Sequence, residues 1–180
     1  DNLALRGVMA QARAYHQGNH LITCVAEHEA VLKTAVHLRD YHNYDLTIIG
    51  VNQYGQVDLD ELANAFRDDT VLVSIMAANN EIGSLNPIDK IGALCHERGV
   101  LFHTDAIQAV AVQPWNLAEQ PIDLMSIAPH KFYGPKGVGV LVVKEGVSLL
   151  STLTGGAQEN GRRAGTVNVP FAVGAAKAFS

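Results

Sequence analysis

The sequence is poor in cysteine and has no long apolar run. Its 180 residues include two cysteines, Cys24 and Cys95, too few for a disulfide framework, so a reducing, cytoplasmic location is expected. No segment approaches the roughly 20 consecutive apolar residues that a membrane-spanning helix needs. The first residues also lack the charged, apolar and cleavage regions of a secretory signal peptide. We therefore expect no membrane partner.

Basic clusters are absent as well. Lys and Arg number 13 against 18 Asp and Glu, a net charge of −5, and the basic residues nowhere gather as a nucleic-acid groove would require. The charged fraction of 17% is too low for a coiled coil, and the apolar fraction of 48% is too high for a disordered chain. These figures indicate a folded domain with no nucleic-acid partner.

Several catalytic and binding motifs are missing. The chain contains no C-x-x-C and no H-E-x-x-H, so no metal site is expected. It contains no phosphate-binding G-x-x-x-x-G-K-[ST] and no G-x-S-x-G nucleophile elbow. The glycines of residues 134–139 lack the G-x-G-x-x-G spacing and lead into a predicted strand rather than a helix.

The sequence does contain an alternation of extended and helical patterns. Strand-like apolar runs occur at residues 20–25, 46–49, 71–76, 100–103, 124–127 and 139–143. The alternation predicts an α/β fold with a mostly parallel sheet and helices on both faces. No linker or repeat divides residues 1–180, so one domain is expected. The chain begins at Asp1 rather than Met and ends within an apolar helical pattern, so we expect it to be part of a longer polypeptide.

Polar residues follow the predicted strands, where parallel sheets gather their functional side chains. Asp105 follows the strand at residues 100–103, and a carboxylate there can hold a protonated ring nitrogen as an ion pair. Lys131 lies in the loop after residues 124–127 and can form a Schiff base with an aldehyde, its amine made reactive by burial and cationic neighbours.

Four further residues complete a set of ligands for one aromatic cofactor. Asn80 and Gln108 can hydrogen-bond a phenolic oxygen, and His28 can stack on an aromatic ring. His130, with backbone N–H groups, can hold a phosphate. Together with the lysine and the aspartate, they form the set that pyridoxal 5′-phosphate requires.

Each of these residues also has a structural interpretation. Asp105 could cap a helix, and Lys131 could be a solvated loop lysine. His28 could be satisfied by the backbone at a helix start, and Asn79 and Asn80 could simply make a turn. The hypothesis of a cofactor site therefore depends on the combination rather than on any one residue.

Six short sequence stretches, spread over nearly the whole chain, carry a family resemblance through their order and spacing. They are Asp1-Asn-Leu-Ala-Leu-Arg-Gly7, Glu27-His28-Glu-Ala-Val31, Asn79-Asn-Glu-Ile-Gly83, His103-Thr-Asp-Ala-Ile-Gln108, His130-Lys-Phe-Tyr-Gly-Pro-Lys-Gly137 and Gly155-Gly-Ala-Gln-Glu-Asn-Gly-Arg-Arg-Ala-Gly-Thr166. In this order and spacing they resemble the cysteine desulfurases of the iron–sulfur-cluster-assembly and nitrogen-fixation type, within the class V aminotransferase group of pyridoxal-phosphate enzymes. The resemblance implies that residues 1–180 are part of the large domain of a fold-type I aminotransferase, without its N-terminal elements and its C-terminal small domain.

The resemblance also implies roles for individual residues. Lys131 would form the Schiff base with the cofactor, and Asp105 would pair with its pyridine nitrogen. His28 would stack on the ring and assist proton transfer. Asn80 and Gln108 would contact the ring oxygen, and His130 would help bind the phosphate. Thr166 would reach the phosphate of the neighbouring subunit in a homodimer.

One position departs from the family pattern. Family members often have Ser-Gly before the His-Lys pair, where this chain has Ala128-Pro129, which removes a hydroxyl that could contact the phosphate. Ser126, two positions earlier on the same strand face, could supply one if the loop permits. The family's glycine-rich phosphate loop, which precedes the Asn-Leu-Ala segment, is expected to lie outside the chain.

The implied reaction converts L-cysteine to L-alanine, leaves a persulfide on an enzyme cysteine and passes the sulfur to a scaffold protein. The family's persulfide cysteine belongs to its C-terminal region, and neither Cys24 nor Cys95 matches it, so the isolated chain is expected to be inactive. Two alternatives stay open: a class V enzyme that acts on a different amino acid, and a non-catalytic remnant that binds a cofactor or a partner.

Overall fold

The computed structural model describes residues 1–180 as a six-stranded sheet with flanking helices. The helices are α1 (Asn2–Ala14), α2 (Glu29–His42), α3 (Leu59–Ala65), α4 (Ile88–Glu97) and α5 (Val169–Phe179). The strands are β1 (His20–Cys24), β2 (Asp45–Ile49), β3 (Thr70–Ser74), β4 (Leu101–Asp105), β5 (Leu124–Ile127) and β6 (Val140–Val143). Short 3₁₀ turns cover Pro129–Lys131 and Gln158–Gly161.

The order of strands across the sheet is β2-β1-β3-β4-β5-β6. The first five strands run parallel, and β6 runs antiparallel to β5. The prediction of a mostly parallel sheet is confirmed. The strand predicted at residues 100–103 extends further than expected, to Leu101–Asp105, so Asp105 is the last residue of β4 rather than part of the loop after it.

Helices cover both faces of the sheet, as predicted. Successive strand residues point to opposite faces, so β1 and β3 each supply side chains to two cores. On one face Leu21 and Leu72 pack with residues of α1 and α2. On the other face Ile22 and Val73 pack with residues of α3 and α4. This two-sided burial explains why residues 71–76 form a nearly continuous apolar run, interrupted by Ser74, instead of an alternating one. No helix combines the length and the apolar character needed to cross a bilayer.

Helix α4 approaches the loop before β5 so closely that only glycine fits at one position. A Cβ added to Gly92 would collide with the backbone carbonyl oxygen of Pro121. Gly92→Ala is therefore expected to lower the free energy of unfolding by about 1–3 kcal/mol, since backbone must move to admit the methyl group. Urea denaturation would measure this change. Gly174→Ala in α5, where a Cβ meets only the Pro135 ring at 3.3 Å, should change stability far less.

Candidate active site

The carboxyl ends of β1, β3, β4 and β5 meet at one edge of the sheet because these strands are parallel. The polar residues predicted from the sequence follow these ends. His28 comes after β1, Asn80 after β3, Gln108 after β4, and the Pro129–Lys131 turn after β5. The fold therefore brings six of the seven predicted site residues to the same edge, although they are spread over more than 100 positions of the chain.

Asp105 is a buried carboxylate that has no ion-pair partner. The residue is 3% exposed, and the one hydrogen bond that its side chain makes within the chain is to Oδ1, donated by the Ile107 N–H at 2.9 Å. Burial raises the pKa of Asp105, while the Ile107 amide, the amino group of the chain and nearby His28 act in the opposite direction. A cation at Oδ2 would supply the charge partner that the chain itself does not provide.

Lys131 ends the 3₁₀ turn that follows β5. Ser126 pairs with Asp105 across β5 and β4, so Lys131 lies five residues beyond the position directly beside the aspartate. The Lys131 N–H donates to the Ala128 carbonyl at 3.0 Å, and Phe132 is buried in the core, which fixes the backbone around the lysine. Its amine makes no hydrogen bond or ion pair within the chain.

The expectation that burial makes the Lys131 amine reactive is wrong for this chain. The residue is exposed, because the turn lies on the surface with Pro129 and Phe132 packed beneath it. The structural interpretation of Lys131 as a solvated lysine therefore describes its present surroundings. No direct contact joins Lys131 to Asp105; the two residues share a sheet edge and adjacent strands.

The structural interpretation of two other residues is also observed. His28 is the N-cap of α2, and its Nδ1 accepts the Ala30 N–H at 3.1 Å, which leaves Nε2 to carry the proton of the neutral ring. Asn79 makes the turn after β3, with its Oδ1 accepting the N–H groups of Glu81 and Ile82. His28 remains exposed, so its ring is free on the side away from this cap.

The remaining predicted contacts differ in placement. Asn80 and His130 are exposed, and Gln108 is half-buried. None of these three side chains is engaged in a hydrogen bond within the chain. Thr166 lies in the segment between β6 and α5, exposed, and no hydrogen bond connects its side chain with the sheet edge. Its contact with a neighbouring subunit stays a prediction.

Comparison with known proteins gives the chain a family. The family model for aminotransferase class V matches residues 1–180. The chain belongs to the class-V aminotransferase family.

Curated relatives within this family carry one activity in their names. The cysteine desulfurase IscS of Methanosarcina thermophila is 48% identical over 178 residues, which are 99% of this chain and 43% of the relative. The cysteine desulfurase IscS of Histophilus somni is 50% identical over 182 residues, 99% of this chain and 44% of the relative. The chain thus spans less than half the length of these curated relatives.

Solved structures confirm the fold of this class-V aminotransferase chain. A NifS-like protein has a TM-score of 0.93 at 38% identity, with 99% of this chain and 48% of that protein covered. SspA in complex with cysteine also has a TM-score of 0.93, at 35% identity, with 99% and 51% covered.

Class-V aminotransferases and cysteine desulfurases are pyridoxal-phosphate enzymes, and the residues at the sheet edge suit this cofactor. The buried Asp105 carboxylate lacks a cation, and a protonated pyridine nitrogen would be one. The Lys131 amine is unengaged and can react with an aldehyde. The free amide of Gln108 can hydrogen-bond a ring oxygen. The donor set therefore fits the group.

Sequence reasoning missed a buried hydrogen-bonded chain below this edge. His103, in the middle of the sheet, contacts the Ser74 hydroxyl at 2.8 Å and the Ser126 hydroxyl at 2.9 Å. The Ser126 hydroxyl also accepts from the amino group of Asp1 at 3.1 Å. Ser126 is thus buried and bonded below the edge, which does not favour the idea that it replaces the hydroxyl missing at Ala128.

Glu27 is a second residue that sequence reasoning missed, because its backbone partner lies in the segment after β3, far away in the sequence. It is buried, and its Oε1 accepts the Met76 N–H at 2.7 Å. The signal was present in the sequence as an acidic residue next to His28 just after an apolar strand. Its partner, a backbone amide 49 positions away, could not be identified from spacing.

Proposed function

We propose that this chain is the cofactor-binding part of a pyridoxal-phosphate-dependent cysteine desulfurase, which converts L-cysteine to L-alanine and passes the sulfur on for iron–sulfur cluster assembly. The observation that carries the proposal is the buried, unpaired Asp105 carboxylate at the strand end next to the turn with Lys131. The names of relatives at 48% and 50% identity support the same reaction. On this proposal residues 1–180 form part of the large domain.

Each side chain has a defined task in this proposal. When bound, pyridoxal phosphate supplies an aldehyde and a protonated ring that draws electrons from bonds at the amino-acid α-carbon. Asp105 keeps the proton on the ring nitrogen through charge attraction in a buried setting. Lys131 binds the aldehyde carbon through its amine. His28, with Nε2 free, stacks on the ring and moves a proton near the reacting carbon.

The other contacts hold the cofactor in place. Asn80 and Gln108 hydrogen-bond the ring oxygen, and His130 binds the phosphate. Because Ala128 has no hydroxyl and Ser126 is engaged elsewhere, the phosphate depends more on His130 and on Thr166 of the partner subunit in a homodimer.

Neither cysteine of the chain suits the sulfur-accepting step. Cys24 and Cys95 are both buried. Burial raises the pKa of Cys95 to about 12 and that of Cys24 further still, so both are thiols rather than thiolates at neutral pH. The persulfide cysteine and the contact with a sulfur-accepting scaffold protein therefore belong, on this proposal, to the rest of the polypeptide. Two free, buried cysteines also support the proposal of a cytoplasmic location.

Borohydride labelling tests the assignment of Lys131. Added pyridoxal phosphate is expected to produce a visible absorption band, and borohydride should fix the cofactor's mass on the peptide that contains Lys131. Lys131→Ala should abolish both signals, because no other amine lies at that turn. Lys136→Ala, which removes another exposed lysine five residues away, should leave both unchanged. The same band and label in Lys131→Ala would refute the assignment.

The reaction itself needs the full-length polypeptide. Incubation with L-cysteine should yield one L-alanine for each sulfur atom recovered as sulfide in the presence of a thiol reductant. A protein that binds the cofactor at Lys131 and yields no alanine would instead support a class-V enzyme for another amino acid. A protein that does not bind the cofactor would contradict the proposal as a whole.

A further inference from the structure

Two side chains join the turn after β1 to the segment after β3. The pairing of β1 with β3 ends at Thr23 and Ser74, where the β1 backbone turns away. The amides on either side of Met76 bond to the β4 backbone, but the Met76 N–H points toward the space that β1 has left. Glu27 Oε1 accepts this N–H at 2.7 Å. A side chain thus continues the sheet hydrogen bonding beyond the end of the strand, and a buried amide keeps a partner.

In the second connection the side chain reaches from the segment after β3 to the turn after β1. The side-chain amide of Asn79 donates from Nδ2 to the Ala26 carbonyl at 2.9 Å. Its Oδ1 is occupied by the N–H groups of the turn that follows. In both connections the segment after β3 donates and the β1 turn accepts, but the side chain that reaches across is Glu27 in the first and Asn79 in the second.

The sequence positions of the two residues connect them to the proposed site. Glu27 immediately precedes His28, and Asn79 immediately precedes Asn80. Because a peptide unit is rigid, holding one residue restricts where the next one can lie. This limits where the two proposed cofactor contacts, His28 and Asn80, can lie relative to each other.

The surroundings of Glu27 explain what its carboxyl can do. The residue is 8% exposed, the Cys24 thiol donates to Oε1 at 3.3 Å, and Oε2 has no hydrogen-bond partner. Burial raises the pKa of Glu27 to about 8, and the nearby Asp105 charge adds to the effect. The titratable groups that face it are the Cys24 thiol and the Asp105 carboxyl, and neither is a cation. At neutral pH Glu27 is mainly a neutral acceptor, a role that glutamine can fill.

We propose that Glu27 and Asn79 are positioning residues that hold His28 and Asn80 in place around the cofactor ring. The proposal rests on the proposed cofactor site, since only the cofactor gives the placement of His28 and Asn80 a function. It predicts that cofactor affinity depends on the Glu27 acceptor and the Asn79 donor, and not on a negative charge at Glu27.

Matched variants, made in the full-length polypeptide, separate this role from general stability. Glu27→Ala removes the acceptor, and Glu27→Gln keeps it. Asn79→Asp keeps the acceptor of the turn and removes the donor to Ala26. The control is Asp123→Ala: Asp123 is also a buried carboxylate that accepts a strand amide, that of Phe102 at 2.8 Å, but it precedes β5 at the opposite edge of the sheet.

The dissociation constant of pyridoxal phosphate, measured by absorbance titration, is expected to rise about tenfold or more in Glu27→Ala and Asn79→Asp. Glu27→Gln and Asp123→Ala should stay within about threefold of the unaltered chain, although Asp123→Ala unfolds at lower urea concentration. If Glu27 acted through a negative charge, Glu27→Gln would lose cofactor affinity as Glu27→Ala does. Unchanged affinity in Glu27→Ala, or an equal loss in Asp123→Ala, would overturn the proposal.

A cofactor-free measurement keeps this proposal distinct from the proposed function. The NMR signals of the His28 imidazole should shift and broaden in Glu27→Ala, and the Met76 amide should exchange faster with solvent. Both should be restored in Glu27→Gln and unaffected in Asp123→Ala. If the unaltered full-length polypeptide does not bind pyridoxal phosphate, the proposed function fails, and these signals alone decide whether the positioning exists. Unchanged His28 signals in Glu27→Ala would show that it does not.

Discussion

Glu27→Gln is expected to remove a loss of stability that the unaltered chain undergoes as the pH rises from about 4.5 to 8. In the folded protein burial raises the pKa of Glu27 to about 8, whereas its ordinary value is 4.5. Between these pH values the folded state holds a proton that the unfolded state has released, so raising the pH favours unfolding. The stability associated with neutral Glu27 is complete below pH 4.5 and is lost as the pH rises through 8.

The size of this effect makes it measurable in a chain of 180 residues. One pKa unit corresponds to about 1.4 kcal/mol, so the free energy of unfolding should fall by about 3–5 kcal/mol more in the unaltered chain than in Glu27→Gln. Urea denaturation at a series of pH values gives both curves. Glu61→Gln is the matched control, because Glu61 also accepts a backbone amide, that of Gly50 at 2.9 Å, but is exposed. Parallel curves for the unaltered chain and Glu27→Gln would show that Glu27 is ionised in the folded protein.

The fold could be predicted largely because burial on two faces leaves a clear mark in the sequence. The run at residues 71–76 becomes β3, between two helical layers, and its apolar character needs no partner to be recognised. The direction of β6 was not specified by its own residues. It depends on the connection from β5, where a 3₁₀ turn and a short loop replace the crossover helix that a parallel neighbour requires.

The site was predictable where residue type implies chemistry, and not where neighbours decide it. Asp105 and Lys131 could be placed on adjacent strand ends, since strand order brings together residues from successive β-loop units. Exposure depends on packing across the chain, and here prediction failed for Lys131, which is exposed; the bond between Ser126 and His103 likewise depends on packing. Glu27 could not be assigned because its partner is a backbone amide, which carries no sequence signal.

His103→Gln is expected to make the chain less sensitive to acid. His103 is fully buried, and burial, with a smaller contribution from the amino group of the chain, lowers its pKa to about 3 from the ordinary 6.5. The Asp1 carboxylate lies 3.8 Å from Nε2 but does not reverse this effect. Between pH 6.5 and 3 this histidine binds a proton in the unfolded state but not in the folded state. The stability associated with neutral His103 is therefore complete above pH 6.5 and is lost as the pH falls toward 3.

His103→Gln should be less stable than the unaltered chain at pH 7 and more stable than it near pH 3. At pH 7 it should be less stable by about 1–3 kcal/mol, because the hydroxyls of Ser74 and Ser126 lose their shared partner. As the pH falls to 3, the unaltered chain should lose about 3–5 kcal/mol that the variant does not lose, so the two urea-denaturation curves converge and cross. His16→Gln, which replaces an exposed histidine, should follow the unaltered chain throughout. A constant difference between His103→Gln and the unaltered chain would mean that His103 accepts its proton inside the folded sheet, and that the hydrogen-bonded chain from Ser74 to Ser126 rearranges to carry the charge.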